Sequence, residues 1–371
     1  MTRFLPLLAL LGCGLFDGPL TEATTEIDGG LRVETRQAST RPNGLLAVEV
    51  EIEEGTTAVQ VVGESGEFVS FERVIDPEND TRLTWEDWYY SPYSLTYAIF
   101  GFDRATAINW PIRKDEGTLT PGTWTFELST LDNQGYYVGE ADVDLTIVSK
   151  VDPDFKNGNV VATIAWAQGM EDDPDVVEGV EAAVERWREV WAGMGATLEV
   201  TYESTNLDPL LPFANTGGQE VATATADKPT GNLFVVIGDE VDGESDTYGI
   251  AGGIPGPLPS TTMTYVVASW LTHAGPNGKL DDEESRLMGE TLAHEAGHFI
   301  GLFHPVEFGY EYFDALSDTP ECGGYVDCEA EMADNLMYPY PICDYSAGTC
   351  LPQDVLTKEQ QDVAHRYVGI N

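Results

Sequence analysis

The stretch from His294 to His304 constrains what this chain can be more than any other part of its sequence. It reads HEAGHFIGLFH, so histidines occupy positions 294, 298 and 304. Two histidines four residues apart lie on one face of a helix, where both imidazoles can bind one metal ion. Gly301 comes where a chain leaving a helix commonly needs a left-handed backbone, and that turn would return His304 as a third ligand. Three protein ligands and one open position are typical of catalytic zinc.

Glu295, which follows His294, adds the group that a hydrolytic metal site needs. Its carboxylate projects towards the same metal ion and can accept a proton from water. The chain has only five histidines, and three of them fall within this one motif. A core helix does not need this order of residue types. We therefore predict one catalytic zinc ion, with His294, His298 and His304 as ligands and Glu295 as the general base.

At these residues the chain resembles the metzincin metallopeptidases, whose signature is HExxHxxGxxH followed by a turn that contains methionine. The sequence NLMYP at 335–339 is similar to that turn, and the resemblance implies that Met337 lies below the metal. It also implies a mixed α/β (α+β) catalytic domain, with two subdomains around a zinc cleft, from about Val160 to the C-terminus.

The methionine turn departs from the family pattern at one position. Several metzincins have a tyrosine two residues after the methionine that supports the transition state. Pro339 occupies that position here, so Tyr338 and Tyr340 are the candidates to replace it. The turn looks like that of the matrixin branch. Other features resemble the pappalysin (cytophagalysin-like) branch: GLFH at 301–304, SDTP and a cysteine at 317–322, and YGIA at 248–251.

The charge of the chain excludes some partners. Its 64 acidic and 18 basic side chains give a formal net charge of −46. Nucleic acids and anionic lipid surfaces bind clustered Lys and Arg, so neither is expected as a partner. The excess either keeps the protein soluble or forms an acidic cleft for basic substrates. Acidic residues after the motif, together with the pappalysin resemblance, also raise the possibility of bound calcium: Asp314, Asp318, Asp327 and Glu329.

The first thirteen residues indicate export. Arg3 precedes an apolar run, Phe4 to Leu11, that is too short to span a bilayer. The run ends in LLGC, which resembles a bacterial lipoprotein processing box with Cys13 as the lipidated residue. We expect residues 1–13 to be a signal peptide and lipobox, and membrane attachment only through this lipid. An ordinary signal peptide, and hence a secreted protein, is the alternative.

Export also decides how the remaining cysteines are interpreted. Cys322, Cys328, Cys343 and Cys350 form an even set after the motif, and in an oxidising compartment they predict two disulfides with three possible pairings. Family resemblance favours Cys322–Cys343 and Cys328–Cys350. A second, structural zinc site is the alternative, but the close CxxC pairs expected of one are missing.

Before the motif, two regions differ in pattern. Residues 14–45 are polar, with little apolar periodicity, and are predicted to be a tether. Residues 46–149 predict an all-β sandwich, because apolar and polar residues alternate in several short stretches: Val48 to Ile52, Trp124 to Leu128, and Val143 to Ile147. The aromatic patch at 85–90 is either a binding face or part of the sandwich core.

Residues 150–371 are predicted to form the catalytic domain. Apolar residues recur at helical spacing from Val177 to Trp191. A helix from Asp282 to about Gly301 would carry the metal motif, and Thr357 with Gln360 would begin a final helix that ends near Val368. Strands are predicted at 160–166, 198–202, 233–237 and 264–269.

The sequence therefore favours a monomeric zinc-dependent endopeptidase that acts on protein or peptide substrates. An extended substrate would pair with a rim strand within 250–269. One alternative is a surface binding lipoprotein, in which the sandwich recognises a partner and the peptidase fold is inactive. Another is a zinc hydrolase that acts on non-peptide bonds. Because no cysteine lies between Gly14 and Glu321, a cysteine latch on the zinc is excluded. We expect an enzyme that is made active, with an inhibitory N-terminal domain as the alternative.

Overall fold

A computed structural model of the chain describes residues 21–28, 31–89, 91–99, 104–151, 155, 157–211, 221, 232–241, 243–244, 246–258, 266–344, 346 and 348–370. Cys13 and the predicted lipobox lie outside these residues. No helix in the described part is long and apolar enough to cross a membrane.

The described residues from 21 to 150 form what we call the N-terminal unit, which is built mainly from strands. Its elements are β1 (Thr21–Asp28), β2 (Leu31–Ser39), β3 (Leu45–Ile52), β4 (Ala58–Ser65), β5 (Phe68–Ile75), β6 (Thr81–Thr84), α1 (Trp85–Tyr89), β7 (Tyr93–Ser94), β8 (Ala105–Trp110), β9 (Gly122–Leu131) and β10 (Asp142–Lys150). A five-stranded sheet has the order β1-β2-β10-β4-β8, and a four-stranded sheet has the order β3-β9-β5-β6. All strand pairs within both sheets are antiparallel.

The two sheets of the N-terminal unit share one hydrophobic core, and the predicted alternation explains which residues enter it. Val48, Val50 and Ile52 of β3 are buried, as are alternate residues of β9 and β10. The polar residues between them in β3, Glu49 and Glu51, are exposed. Period-two alternation therefore identified strands that each have one buried and one solvated face.

The predicted tether at 14–45 is wrong for much of its length. Residues 21–28 and 31–39 are strands, and β2 pairs with β10 from Ser39 opposite Asp142 to Arg32 opposite Ser149. Only Leu31 and Val33 of β2 have fully buried side chains, so the segment shows little apolar periodicity. Its strand form depends on backbone pairing with a partner that is distant in sequence. The helix α1 is a second difference, because no helix was expected there.

The described residues from 157 to 370, the C-terminal unit, combine a mostly parallel sheet with helices. Its elements are β11 (Gly158–Trp166), α2 (Pro174–Gly193), β12 (Ala196–Ser204), β13 (Asn232–Gly238), β14 (Gly249–Ala251), β15 (Val266–Ser269), α3 (Trp270–Ala274), α4 (Asp282–Phe299), β16 (Phe313–Asp314), α5 (Tyr325–Met332), β17 (Cys343–Asp344), β18 (Thr349–Cys350) and α6 (Lys358–Arg366). The sheet order is β12-β11-β13-β15-β14, with β14 as the antiparallel edge strand. The strand and helix predictions for this part of the chain are confirmed to within a few residues.

The residues at both ends of the helix α4 are of types that typically begin and end helices. Asp281 accepts hydrogen bonds from the backbone N–H groups of Glu283 and Glu284, and the Glu284 side chain accepts one from Asp281 N, which is a capping box. At the other end Gly301 has a φ of 106°, and Leu302 N donates to Gly297 O at 2.9 Å. This glycine lets the chain reverse directly after the helix.

The two units are packed together through a continuous apolar interior. Leu31, Ala58 and Val148 of the N-terminal unit belong to the same buried cluster as the core of the C-terminal unit. In addition, β7 pairs in parallel with β16, with Tyr93 opposite Phe313. The sheet β1-β2-β10-β4-β8 therefore buries one face against its partner sheet and contributes the other to this shared interior.

Candidate metal centre

The three histidines of the motif converge on one point. Nε2 of His304 lies 3.1 Å from Nε2 of His298 and 3.3 Å from Nε2 of His294. Two nitrogen ligands at the usual zinc distance in a tetrahedral site are about 3.3 Å apart. The His, Cys, Asp and Glu side chains of the described residues are possible ligands. Among them, these three histidines form the group whose ligand atoms are close enough together to hold one metal ion. The spacing of the imidazoles thus matches a tetrahedral zinc site.

The hydrogen bond made by Nδ1 of each imidazole determines which of its two nitrogens carries the proton. Nδ1 of His294 lies 2.7 Å from Leu336 O, and Nδ1 of His298 lies 2.7 Å from Leu302 O. A carbonyl oxygen can only accept, so Nδ1 must be the donor in both rings. Nδ1 of His304 lies 2.9 Å from Oε2 of Glu307, and a carboxylate likewise accepts. All three Nε2 atoms therefore present lone pairs to one another, which a cation between them would stabilise.

The surroundings keep the rings of His294 and His298 neutral, as metal ligands must be. Burial and, to a smaller extent, the neighbouring His304 together lower the pKa of His294 to about 3. The pKa of His298 is also held well below its usual range, first by burial and then by the other two histidines. The residues present therefore fit a divalent metal ion such as zinc.

Glu295 is buried beside the histidines and packs closely against the edge strand β14. Its side chain is 9% exposed, and a Cβ atom on Gly249 would lie 2.7 Å from Cγ of Glu295. A glycine at 249 thus allows β14 to approach the helix at this position. Burial raises the pKa of Glu295 to about 8. A divalent cation nearby would lower that pKa again and favour the carboxylate that accepts a proton.

The methionine turn lies against the same helix. Met337 is fully buried, and its Sδ atom lies 2.6 Å from the position that a Cβ atom on Gly297 would take. Met337 N donates to Oδ1 of Asn335, whose amide bonds in turn to Gln360 of α6. Because the same turn supplies the Leu336 carbonyl to His294, the final helix α6 is connected to His294 through Asn335.

Tyr338 and Tyr340 both reach the cleft, but their hydroxyl groups bond to other tyrosines. The hydroxyl of Tyr340 lies 2.7 Å from that of Tyr310 and 3.3 Å from that of Tyr338. Burial raises the pKa of Tyr340 to about 12, so its hydroxyl stays protonated at neutral pH. Each can serve as a hydrogen-bond donor, and their part in transition-state support stays a prediction.

The histidines and Glu295 open into a cleft of about 590 Å³. One wall is the edge strand β14 with the residues before it, and the other is the segment after Met337. Along α4 the cleft extends from the histidines back to Leu287. Its lining residues in the described part of the chain all belong to the C-terminal unit: 246–251, 287, 290, 291, 294, 295, 298, 304, 308, 336, 338–341 and 353.

The four late cysteines form two disulfides, but the pairing expected from family resemblance is wrong. The bonds are Cys322–Cys328 and Cys343–Cys350, with sequence separations of 6 and 7. The start of α5 at Tyr325 brings the first pair together, and the short β17–β18 hairpin places the second pair directly opposite each other. Each disulfide therefore closes a local loop and leaves the segment between them without a cross-link.

The acidic residues proposed for calcium do not form a second metal group in the described part of the chain. Asp314 is buried, and its Oδ1 accepts hydrogen bonds from Thr319 and from Leu316 N. Asp318 instead accepts from Glu359 N. Bound calcium stays a prediction.

Two contributors to the site have roles that the sequence did not indicate, although Gly249 lies in the YGIA segment of the family resemblance. Glu307 follows His304 in an irregular segment, where no periodicity indicates which side chains face each other. Gly249 lies on a strand of only three residues, and its importance comes from the approach of Glu295. Both contributions depend on contacts between segments that are brought together by the fold.

Comparison with known proteins gives only distant similarity. No family model matches the chain, and no curated protein matches its sequence. Among solved structures, the chain is similar to archaemetzincin from Methanopyrus kandleri, with 15% identity over 60% of this chain and 92% of that one, at a TM-score of 0.30. It is also similar to metalloproteinase-II from Bacteroides fragilis, with 10% identity over 84% and 85%, at a TM-score of 0.29. Because these TM-scores are low, the assignment of a function depends on the residues of the site itself.

Proposed function

We propose that this protein is a zinc-dependent endopeptidase of the metzincin type. The convergence of three Nε2 lone pairs beside a buried glutamate supports this most directly. Each imidazole carries its proton on Nδ1, which leaves the Nε2 lone pair free to bind a cation. The methionine turn against Gly297 adds a second element of the same type of site.

The residues of the site have distinct roles in this proposal. Bound zinc would supply a Lewis acid for the scissile carbonyl and would make the attacking water more acidic. Glu295 accepts the proton of that water and then delivers it to the leaving amine. Among the described residues β14 is an edge strand of the sheet, and it adds main-chain hydrogen bonds to an extended peptide, which orients the scissile bond above the histidines. The tyrosine hydroxyls at 338 and 340 provide donors at the cleft wall.

Substitution of the general base tests the proposal. Glu295→Gln should keep zinc and the fold but remove most peptide cleavage, because an amide cannot accept the proton. General acid–base groups typically contribute ~10²–10⁴-fold in rate. The full chain and the variant would be incubated with a peptide library, and the cleavage sites would be mapped by mass spectrometry. Cleavage at the parental rate by the variant would mean that Glu295 is not the base.

Metal analysis is the companion measurement. Protein purified without added metal should contain one zinc per chain, and His298→Ala and His304→Ala should each lose it. Retention of zinc by these variants would contradict the ligand assignment. If the full chain holds zinc but cleaves no peptide bond, a binding protein with an inactive peptidase fold becomes the better description.

We further propose that the N-terminal unit is a two-sheet sandwich attached permanently to the peptidase, and that the protein is exported as a lipoprotein. Two disulfides are typical of proteins that leave the reducing cytosol. Lipid attachment at Cys13 is tested by labelling with a fatty acid analogue, which should be lost in Cys13→Ser. The N-terminal unit lines no part of the cleft, which supports an enzyme that is made active.

A further inference from the structure

The loop at 254–258, which we call the rim loop, covers the end of the helix that carries two of the metal ligands. Gly256 N donates to Phe299 O at 2.8 Å. A Cβ atom on Gly256 would lie 2.1 Å from two ring carbons of Phe299, so the ring lies directly on this glycine. Phe299 follows His298 and is itself buried. The rim loop therefore packs where the chain leaves α4 and turns towards His304.

The N-terminal unit bonds to this loop at two places: Tyr97 N donates to Ile254 O at 2.8 Å, and a buried side-chain amide bonds to Gly256 and Leu258. Gln60 of β4 is wholly buried, and its Nε2 donates to Gly256 O at 3.0 Å. Its Oε1 accepts from Leu258 N at 2.7 Å, so both ends of the amide are used and its orientation is fixed. The hydroxyl of Tyr367 also donates to Gly256 O, at 2.8 Å. The loop is thus held from both units at the same carbonyl.

We propose that Gln60 is a positioning residue for the metal centre, which acts through Gly256 and Phe299 on the end of α4. This inference rests on the proposed function in one respect, namely that the three histidines hold zinc. Without the Gln60 amide, Leu258 N loses its hydrogen-bond acceptor and Gly256 O loses one of its two donors, so the loop must shift to satisfy the buried N–H. A shift at Gly256 moves the Phe299 ring, and with it the helix end that orients His298.

A control residue of the same chemistry distinguishes positioning from mere attachment of the two units. Asn109 of β8 is also buried, and its amide donates to Arg366 O at 2.9 Å and accepts from Val368 N at 3.0 Å. It thus bonds to one carbonyl and one N–H across the same boundary as Gln60 does. Its partners lie at the last residue of α6 and two residues beyond it, outside the rim loop.

The experiment compares zinc release from Gln60→Met and Asn109→Leu in the full chain. Each variant is loaded with zinc, and release to a colorimetric chelator is followed well below the melting temperature of both. We expect Gln60→Met to release zinc about fivefold faster than the wild type, within the range of coupling between packed elements. Both substitutions should lower the melting temperature by a similar amount, because each removes two buried hydrogen bonds. The zinc-release rate of Asn109→Leu, however, should stay within about twofold of the wild-type rate. Equal release rates for the two variants, or a wild-type rate for Gln60→Met, would overturn the proposal.

A second variant covers the case in which Gln60→Met does not fold. Tyr367→Phe removes the other donor to Gly256 O and keeps the ring, so it should fold and release zinc about twofold faster. No change in this variant would overturn a role for the hold on Gly256. The two partners of Asn109, Arg366 and Val368, flank Tyr367 in sequence. The release rate of Tyr367→Phe therefore shows how much of any effect of Asn109→Leu could pass through the Tyr367 hydroxyl. Because the readout is zinc, a chain that retains zinc but cleaves no peptide would contradict the proposed function alone.

Discussion

At the scale of single residues, the second nitrogen of each imidazole decides what the metal centre can do. Two histidines donate to backbone carbonyls, whereas His304 donates to the carboxylate of Glu307. A carboxylate partner makes an imidazole a more basic ligand than a carbonyl does, and it adds a negative charge near the cation. The third ligand, which comes from outside the helix, is therefore the one held by a charged group.

We expect Glu307→Gln to weaken zinc binding by about 10–100-fold, because outer partners of metal-bound histidines contribute on that scale. Zinc affinity would be measured by competition with a chelator of known affinity. Glu311→Gln is the matched control, since Glu311 is exposed and four residues further along the same segment. If both variants bind zinc as the wild type does, the contact between Glu307 and His304 has no functional weight.

Asp314 should make the stability of the metal-free protein depend on pH. Burial raises the pKa of its carboxyl to about 7, well above the value of an unfolded aspartate. Between about pH 4 and pH 7 the unfolded chain has lost this proton while the folded chain keeps it, so the free energy of unfolding falls as pH rises. The loss is on the order of 1–4 kcal/mol.

Denaturant unfolding at several pH values in that window would measure this effect, with Asp314→Asn as the comparison. The variant cannot ionise, so its stability should change less between pH 4 and pH 7. Equal changes in stability for the wild type and the variant across the window would contradict a raised pKa of Asp314. If added calcium stabilises the wild type at pH 7 but not the variant, the calcium prediction gains support.

At the scale of elements, the position of the helix α4 depends on the close approach of the edge strand β14, which a glycine makes possible. Gly249 of β14 would place a Cβ atom 2.7 Å from Glu295 Cγ and 2.8 Å from the backbone oxygen of Val267. The contact with a backbone atom cannot be relieved by a change of rotamer. The edge strand and the helix therefore fix each other's position through this glycine.

Gly249→Ala should destabilise the protein by about 1–3 kcal/mol, the usual cost of overpacking a buried contact. It should also reduce cleavage, because β14 and Glu295 must move apart. Gly193→Ala is the control, since a Cβ atom there meets no other atom within 4 Å. Thermal unfolding and peptide cleavage of both variants would be measured. An equal, small effect of the two substitutions would contradict the close approach.

At the scale of the whole molecule, the N-terminal unit shares a buried boundary with the unit that carries the three histidines and Glu295. Lys150 is buried at the boundary and donates to the backbone oxygens of His365 and Ile370. Asn109 and Gln60 add further buried bonds across it. Removing the unit would expose apolar surface and leave these backbone groups without their partners.

We therefore expect residues 151–371 alone to be less soluble and less active than the full chain. The two proteins would be compared by melting temperature and by cleavage of one peptide substrate. A shortened chain that is folded and more than about tenfold more active, a difference of ~1.4 kcal/mol, would show that the N-terminal unit is inhibitory. Reduced activity would agree with a permanent structural role.

The sequence by itself determined the features that depend on local order. The metal motif, the caps of α4 and α6, and the alternation in β3, β9 and β10 each follow from the residue types within one turn or one strand. For that reason the three histidines, Glu295 and seven of the eighteen described strands could be named before the fold was known.

Only the tertiary structure decided the features that depend on contacts between distant segments. The strand β2 forms by pairing with β10, and β1 forms by pairing with β2. The disulfides follow local turns rather than the family pattern, and Glu307 faces His304 across an irregular loop. Gln60 lies in an ordinary strand, and nothing in its neighbourhood shows that it bonds to the rim loop. Hydrogen bonds across the molecule depend on where the backbone groups of another segment end up, and periodicity along one segment does not contain that information.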